Sequence, residues 1–411
     1  MDQRRYYGFD ALRGGMMMLG IVLHAAMFYL AAPPPTMPII TDRHTSPVCD
    51  ILFHFIHSFR MPTFFLLAGF FAALLVEKRG LWGTWKNRMA RVLAPLLAAM
   101  VTILPVAGLF MISFMVSARF GTHDLIPDQA QLQILFKEMA AAGFPVNEPS
   151  LGHLWFLYYL LYFYLLIPFC RWLVAASRRG ETGLRKALQS PAMLPVLGLV
   201  TAATLWPFHG GQVHEGFIFL KPHLPSLIYF GLFFVLGYVL HFCQEMLQAF
   251  TRFMPWCALL AAVLFPLSLT LSNLDNQSRG TAIEIHLAAV VTHGLCTWAL
   301  IYAFVGSALR YFDKPSPWSL YISQSSYWVF LVHMPLVAIA AWWLVRYDIS
   351  ALFKFVGVVA FTTVFSFLSY HYWVQKTWVS AFINGKRFDM QWPWRGEGVI
   401  VDKGHKPRNL S

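Results

Sequence analysis

The stretch FDALRGGMMMLGIVLHAAMF, residues 9–28, decides the fold class. From Gly14 to Phe28 it is apolar apart from one histidine and shows no period-two alternation. In hydrocarbon its backbone groups can be satisfied only within a helix. Further apolar runs of about twenty residues follow. Together they predict helices near 13–32, 50–76, 92–115, 151–170, 191–207, 223–243, 255–272, 284–309, 323–343 and 351–374.

Composition agrees: 58% of the 411 residues are hydrophobic and 12% charged, too little polar surface to cover a water-soluble globule of this size. The predicted fold class is all-α, a polytopic transmembrane helical bundle of about ten helices with the lipid bilayer as its solvent. Residues 1–374 are read as one transmembrane domain. Residues 375–411 are read as a cytoplasmic tail, interfacial or disordered, with no chemistry assigned.

The formal charge of +12 brings no basic stripe interleaved with aromatics, so nucleic acid is not expected as a partner. The basic residues fall instead between the runs. With a cytoplasmic N-terminus, 23 of the 31 Lys and Arg lie on the inner side, counting Arg13 at the inner edge and seven in the tail. The positive-inside rule then places both termini in the cytoplasm. Arg4 and Arg5 before the first run resemble a signal peptide, but Pro33, Pro34 and Pro35 after it, and Arg13 and His24 within it, argue against cleavage. The five cysteines are scattered and imply no disulfide framework. No metal and no permanently bound cofactor is expected, and association with a second copy of the chain stays open.

Charged and imidazole groups inside a bilayer are costly and mark the default place for a site. His24 follows Arg13 by eleven residues, roughly 16 Å along a helix axis, and so lies near mid-membrane. In CDILFHFIHSFRMPTFFLLAGFF, residues 49–71, His54, His57 and Arg60 recur at three-residue steps on one face, and Arg60 reaches the depth of His24. His333 reaches it from a third run, followed by Pro335, which loosens the local backbone. One membrane histidine is ordinarily a packing residue; three basic groups aligned in depth point to a site. His241, His293 and His371 lack such company and are read as packing, while Glu284 and His286 are open between counter-ion and functional roles. Arg88 and Arg91, after Lys86 and at the start of the third helix, suit phosphate or simple positive-inside anchoring. The segment 116–150, with a short helix predicted at 128–142 and acidic residues Asp124, Asp128, Glu138 and Glu148, is read as a lid or acceptor platform.

The spacings Arg13–X10–His24 and Arg88–X2–Arg91 resemble the acyltransferase-3 superfamily of multipass membrane enzymes. FIHSFRMPTFFLLAGFF at 55–71, GHLWFL at 152–157 and SSYWVFLVHMPL at 325–336 are most similar to the branch that succinylates osmoregulated periplasmic glucans. One departure is Ala68 in LAGF, where many members carry serine, and position 68 is given no catalytic role. The likeness implies transfer of an acyl group, with succinyl favoured, from cytoplasmic acyl-CoA, with succinyl-CoA as the co-substrate, to a hydroxyl of a periplasmic glucan at the bacterial inner membrane.

On that reading His24, as a neutral imidazole, takes the proton of the acceptor hydroxyl, with direct transfer and no acyl-enzyme on Cys243, Cys257 or Ser58. His57 and His333 donate to the carbonyl oxygen. Arg88 and Arg91 hold the carrier's phosphates, and Arg13 holds phosphate or a neighbouring helix. Arg60 meets the distal carboxylate of a succinyl group, or else pairs with Glu284 or Asp50. His153 and Trp155 line the outer entrance. The alternatives are an O-acetyltransferase of another surface or periplasmic glycan and, from another class, a glycan or lipid transporter.

Overall fold

The computed structural model describes residues 6–34, 40–144, 146–177, 190–213, 221–243, 245–278, 281–388 and 392–393. Among the basic residues counted above, Arg4, Arg5, Arg178, Arg179, Arg185, Lys186, Arg279, Arg395, Lys403, Lys406 and Arg408 lie outside the described residues. Among the described residues the chain is helical, without a β-strand.

All ten predicted segments fall on helices. They are α1 (Tyr7–Met27), α2 (Pro47–Arg88), α3 (Ala94–Phe120), the bent pair α5 (Trp155–Leu165) and α6 (Ile167–Ser177), α7 (Met193–Leu205), α8 (Leu224–Phe242), α9 (Glu245–Ser278), α10 (Ile283–Tyr311), α11 (Pro317–Leu344) and α12 (Ala351–Ser369). Between α3 and α5 lies the short α4 (Gln129–Ala141), close to the predicted 128–142 and capped by the Asp128 carboxylate, which accepts from Ala130 N. Seven stretches are long and apolar enough to cross a membrane, one of them running through both α2 and α3, and the α5–α6 pair, bent by 47°, makes an eighth if counted as one. Met193–Leu205 is apolar but shorter. The protein is a multipass membrane protein, and its surface agrees: Val101, Trp256 and Phe353 are 74%, 70% and 77% exposed.

Local chemistry sets the boundaries. The Ser46 side chain accepts from Val48 N and Pro47 takes the first helical position, so α2 starts there. At 42 residues, α2 would run roughly 63 Å if straight, about twice the hydrocarbon thickness. It breaks at Gly80, whose φ of 67° only glycine adopts freely. The following residues carry Arg88 on into a single π-helical turn, Met89–Leu93, that leads into α3. Two predicted limits are corrected. The first helix starts at Tyr7 rather than at 13, and it stops at Met27, where Phe28 and Tyr29 carbonyls turn to accept from Asp42 and Ser46.

The tail departs most from expectation. Residues 378–384 form a helix, α13 (Trp378–Asn384), capped by Thr377 and packed on the α2–α3 junction and on α11.

Helix α1 packs against α2, α10, α11 and α12 and is therefore interior. The crossing of α2 with α8 is set by two glycines facing opposite backbones. A Cβ at Gly69 would fall 1.9 Å from Phe234 O, and one at Gly237 would fall 1.8 Å from Leu66 O. Small residues that let backbones touch are what drive helix association in lipid.

Two helix prolines leave carbonyls that another element takes up. Pro62 has no N–H for Ser58 O, which accepts from Thr297 Oγ1 at 2.9 Å. Pro335 has none for Leu331 O, which accepts from His153 Nε2 at 3.1 Å.

Gly69→Val or Gly237→Val is expected to separate α2 from α8, at a cost of about 1–3 kcal/mol or more. This would be read as a lowered melting temperature in detergent. Gly108→Ala, where a Cβ meets nothing within 4 Å, should leave melting unchanged.

Candidate active site

His24 on α1, His333 on α11, His153 in the turn before α5 and Arg60 on α2 come together in the bundle. The His24 and His333 rings lie 5.2 Å apart between centres, and those of His153 and His333 lie 5.3 Å apart. His24, Arg60, His153 and Trp155 line one small cavity of about 20 Å³. His153 and Trp155, expected at an outer entrance, are thus inside the site beside the imidazoles.

Hydrogen bonding fixes which nitrogens carry protons. A carbonyl only accepts, so His153 bears its hydrogen on Nε2, facing Leu331 O at 3.1 Å. His333 bears it on Nδ1, 2.7 Å from Phe330 O and 3.2 Å from Val329 O. The opposite nitrogens, His153 Nδ1 and His333 Nε2, are buried and without a hydrogen-bond partner among the described residues, as is His24 Nδ1. A neutral His333 can therefore accept at this site but not donate, which corrects its expected role as a donor to a carbonyl oxygen.

His57 is placed differently again. Its Nε2 donates to Val213 O at 2.7 Å, its ring stacks on Phe53, and it lines neither cavity of the site. The aligned face of α2 splits: Arg60 turns toward α1, while His57 and His54 turn toward residues 212–213, His54 meeting Gln212 at 2.9 Å.

The Arg60 guanidinium is buried against α1. Nε donates to Met16 O at 2.9 Å, and a methyl group at position 20 would fall 2.2 Å from Nη2, so only glycine leaves room for it. Among the described residues no carboxylate pairs with Arg60. Asp50, offered as a partner from sequence, accepts from Ala31 N and Ala32 N at 3.2 and 3.0 Å, and Glu284 forms no ion pair with it. A cation in a low-dielectric interior without a counter-ion is held at a cost, and here it faces a cavity.

Four side chains of that cavity, Met17, Phe64, Phe156 and Phe330, also line a second cavity of about 690 Å³. Its polar wall holds Arg13, Arg79, Arg88, Arg91 and Lys386 against one acid, Asp10, five cations to one anion. Arg88 donates to Asn87 Oδ1 at 2.8 Å and lies over the Tyr164 ring at 5.4 Å. Arg13 donates to Ser323 Oγ at 2.7 Å and lies 3.4 Å from Asp10, so the helix–helix contact weighed for it from sequence is made, to α11. Arg91 donates to Phe382 O at 2.7 Å and to Ala381 O, both in α13.

Sequence reasoning did not single out Arg79, Lys386 or the α13 segment as part of a site. The N-capping Thr377 and the Gly385 that follows α13 are the helix signals its sequence offers. The histidines read as packing have partners: His241 with Glu77, His293 with Ser268 and His371 with Tyr321. His286 faces Asp275 at 2.9 Å, an ion-pair geometry away from both cavities. No His, Cys, Asp and Glu grouping among the described residues could hold a metal.

Residues 6–371 match the acyltransferase domain family. The glucans biosynthesis protein C of Escherichia coli strain K12 is 25% identical over 346 residues, covering 81% of this chain and 82% of that protein. That of E. coli O6:K15:H31 strain 536 is 26% identical over the same length. No solved structure matches. With the family match spanning nearly its whole length, the chain belongs to the acyltransferase domain family and is a membrane acyltransferase.

Gly20→Ala is expected to push the Arg60 guanidinium off α1. Acyl transfer should drop by about 10²-fold or more, the scale of losing one fixed electrostatic donor. Gly15→Ala on the same helix, where a Cβ meets nothing within 4 Å, should transfer at the original rate.

Proposed function

We propose that this chain is an O-acyltransferase of the bacterial inner membrane that moves a succinyl group from cytoplasmic succinyl-CoA to a hydroxyl of a periplasmic glucan. The observation that carries the reading is a pair of adjoining cavities that share four lining side chains. A wide cationic chamber suits a phosphate-bearing carrier, and a small pocket holding His24 shares Met17, Phe64, Phe156 and Phe330 with it. Similarity to glucans biosynthesis protein C supports the glucan acceptor. In the proposed topology α5 and α6 form one crossing, ten helical segments cross in all, and both termini are cytoplasmic. The placing of 23 of 31 Lys and Arg on that side supports it.

The carrier is too polar to cross, so its thioester enters the pocket at the end of a flexible arm while the arginines retain its phosphates. His24 accepts the proton of the sugar hydroxyl as that oxygen attacks the thioester carbonyl. The new carbon–oxygen bond forms, the carbon–sulfur bond breaks, and the proton passes from His24 to the departing sulfur. With its hydrogen fixed on Nδ1, His333 keeps an unshared Nε2 lone pair, and its ring centre lies 5.2 Å from that of His24. It can accept an N–H from His24 once that ring is charged, which makes it a positioning and stabilising group for the base.

Arg60, charged and without a carboxylate of its own, takes the distal carboxylate of the succinyl group. A second role has its own support: the guanidinium sits beside Gly20, one helical turn from His24 toward Arg13 and the chamber, and the imidazoles fixed by carbonyls cannot donate. In that role it holds the carbonyl oxygen instead.

His24→Ala should lower transfer by about 10²–10⁴-fold, the scale of a lost general base. Coenzyme A should still protect the variant against heat. Retained turnover, followed by mass spectrometry of periplasmic glucans and by release of free thiol, would remove His24 from the chemistry. For Arg60→Gln, a succinyl-specific loss, with acetyl-CoA turnover less affected, is expected for carboxylate binding; equal losses for both donors would assign it to the carbonyl oxygen.

A further inference from the structure

Residues 375–388 lie beyond the 6–371 matched to the acyltransferase family. This segment is built into the chamber by specific bonds. Phe388 N donates to Gln375 O at 2.8 Å and Ser380 Oγ to Lys386 O at 3.0 Å, closing the segment on itself. Asn384 Nδ2 donates to Gln324 O of α11 at 3.3 Å, and Arg91 donates to the two carbonyls near the end of α13. Ile383 and Phe388 are buried, and the turn between them is made by Gly385, at φ 87°. A cation at a helix C-terminus satisfies carbonyls that the helix leaves open.

Arg91 is thus engaged by the tail. The cation that the tail itself brings to the chamber is Lys386, an exposed side chain on the wall that also holds Arg79 and Arg88. Among the described residues Lys386 has no carboxylate partner; its ammonium lies 5.2 Å from the centre of the Phe388 ring. The one acid of the chamber, Asp10, is occupied by Arg13 and by Ser323 Oγ, which donates to it at 3.3 Å.

We propose that residues 375–388 form a wall of the donor-binding chamber, with Lys386 contacting a phosphate of the carrier and Arg91 acting first as the anchor of that wall. The inference rests on the coenzyme A reading of the chamber and adds to it a site outside the family domain. Arg91 in this view is a positioning residue, and substitutions there act on the donor through the tail.

The test is thermal protection of the purified full-length protein in detergent, titrated with free coenzyme A. Lys386→Gln should raise the half-saturating concentration about tenfold, a single charge-assisted contact, with the melting temperature in the absence of coenzyme A unchanged. Lys386→Arg should restore binding. Arg387→Gln, the same change of charge one residue on and outside the chamber wall, should bind as the unaltered protein does. Equal weakening by Lys386→Gln and Arg387→Gln, or no weakening by the first, overturns the proposal while leaving the donor reading intact. If coenzyme A fails to protect the unaltered protein, the donor reading falls and the role of Lys386 falls with it.

Discussion

A guanidinium pressed against the backbone of an interior helix, with a glycine opposite and no carboxylate beside it among the described residues, constrains the middle of this bundle. Placing a full charge there is costly in hydrocarbon. Arg60 meets that cost partly through Met16 O, and Gly20 supplies the space. The same contact fixes how α2 faces α1, and α1 carries both His24 and Arg13. Moving Arg60 would therefore shift His24 relative to the chamber, because Arg13 on the chamber wall and His24 belong to one helix.

The separation of the two cavities has a physical meaning of its own. Four apolar side chains stand between a polar chamber open to phosphate-sized groups and a pocket of imidazoles. An apolar boundary of this kind admits an uncharged group more easily than a hydrated, charged one, and it limits the entry of water. Hydrolysis of an activated acyl group is the side reaction that such an arrangement suppresses.

What could be read from the sequence follows from what is local. Helix periodicity alone put Arg13 and His24 eleven residues apart along one axis, and apolar run length located all ten helical segments. Arg60 was legible as an anomaly, since no residue near it in sequence could neutralise it. Its actual surroundings depend on Gly20, forty residues away, and on a packing register that no spacing encodes. His57 looked equivalent to Arg60 because both lie on one face of α2; the structure turns them to different neighbours, since a face of a long helix spans more than one contact. The tail was missed for a related reason. A seven-residue helix has too little periodicity to stand out, and what holds it, Arg91 to backbone carbonyls, has no sequence signature.

Pro335 shows how far one missing hydrogen reaches. Because the ring nitrogen of proline has nothing to give, Leu331 O looks sideways out of α11 and captures the imidazole of His153. Which nitrogen of His153 keeps its lone pair is thus dictated from another helix, by a residue that lines neither cavity. An alanine there would mend the ladder of α11 and leave His153 free to exchange tautomers, so the regularity of one helix and the order of the imidazole cluster stand in opposition.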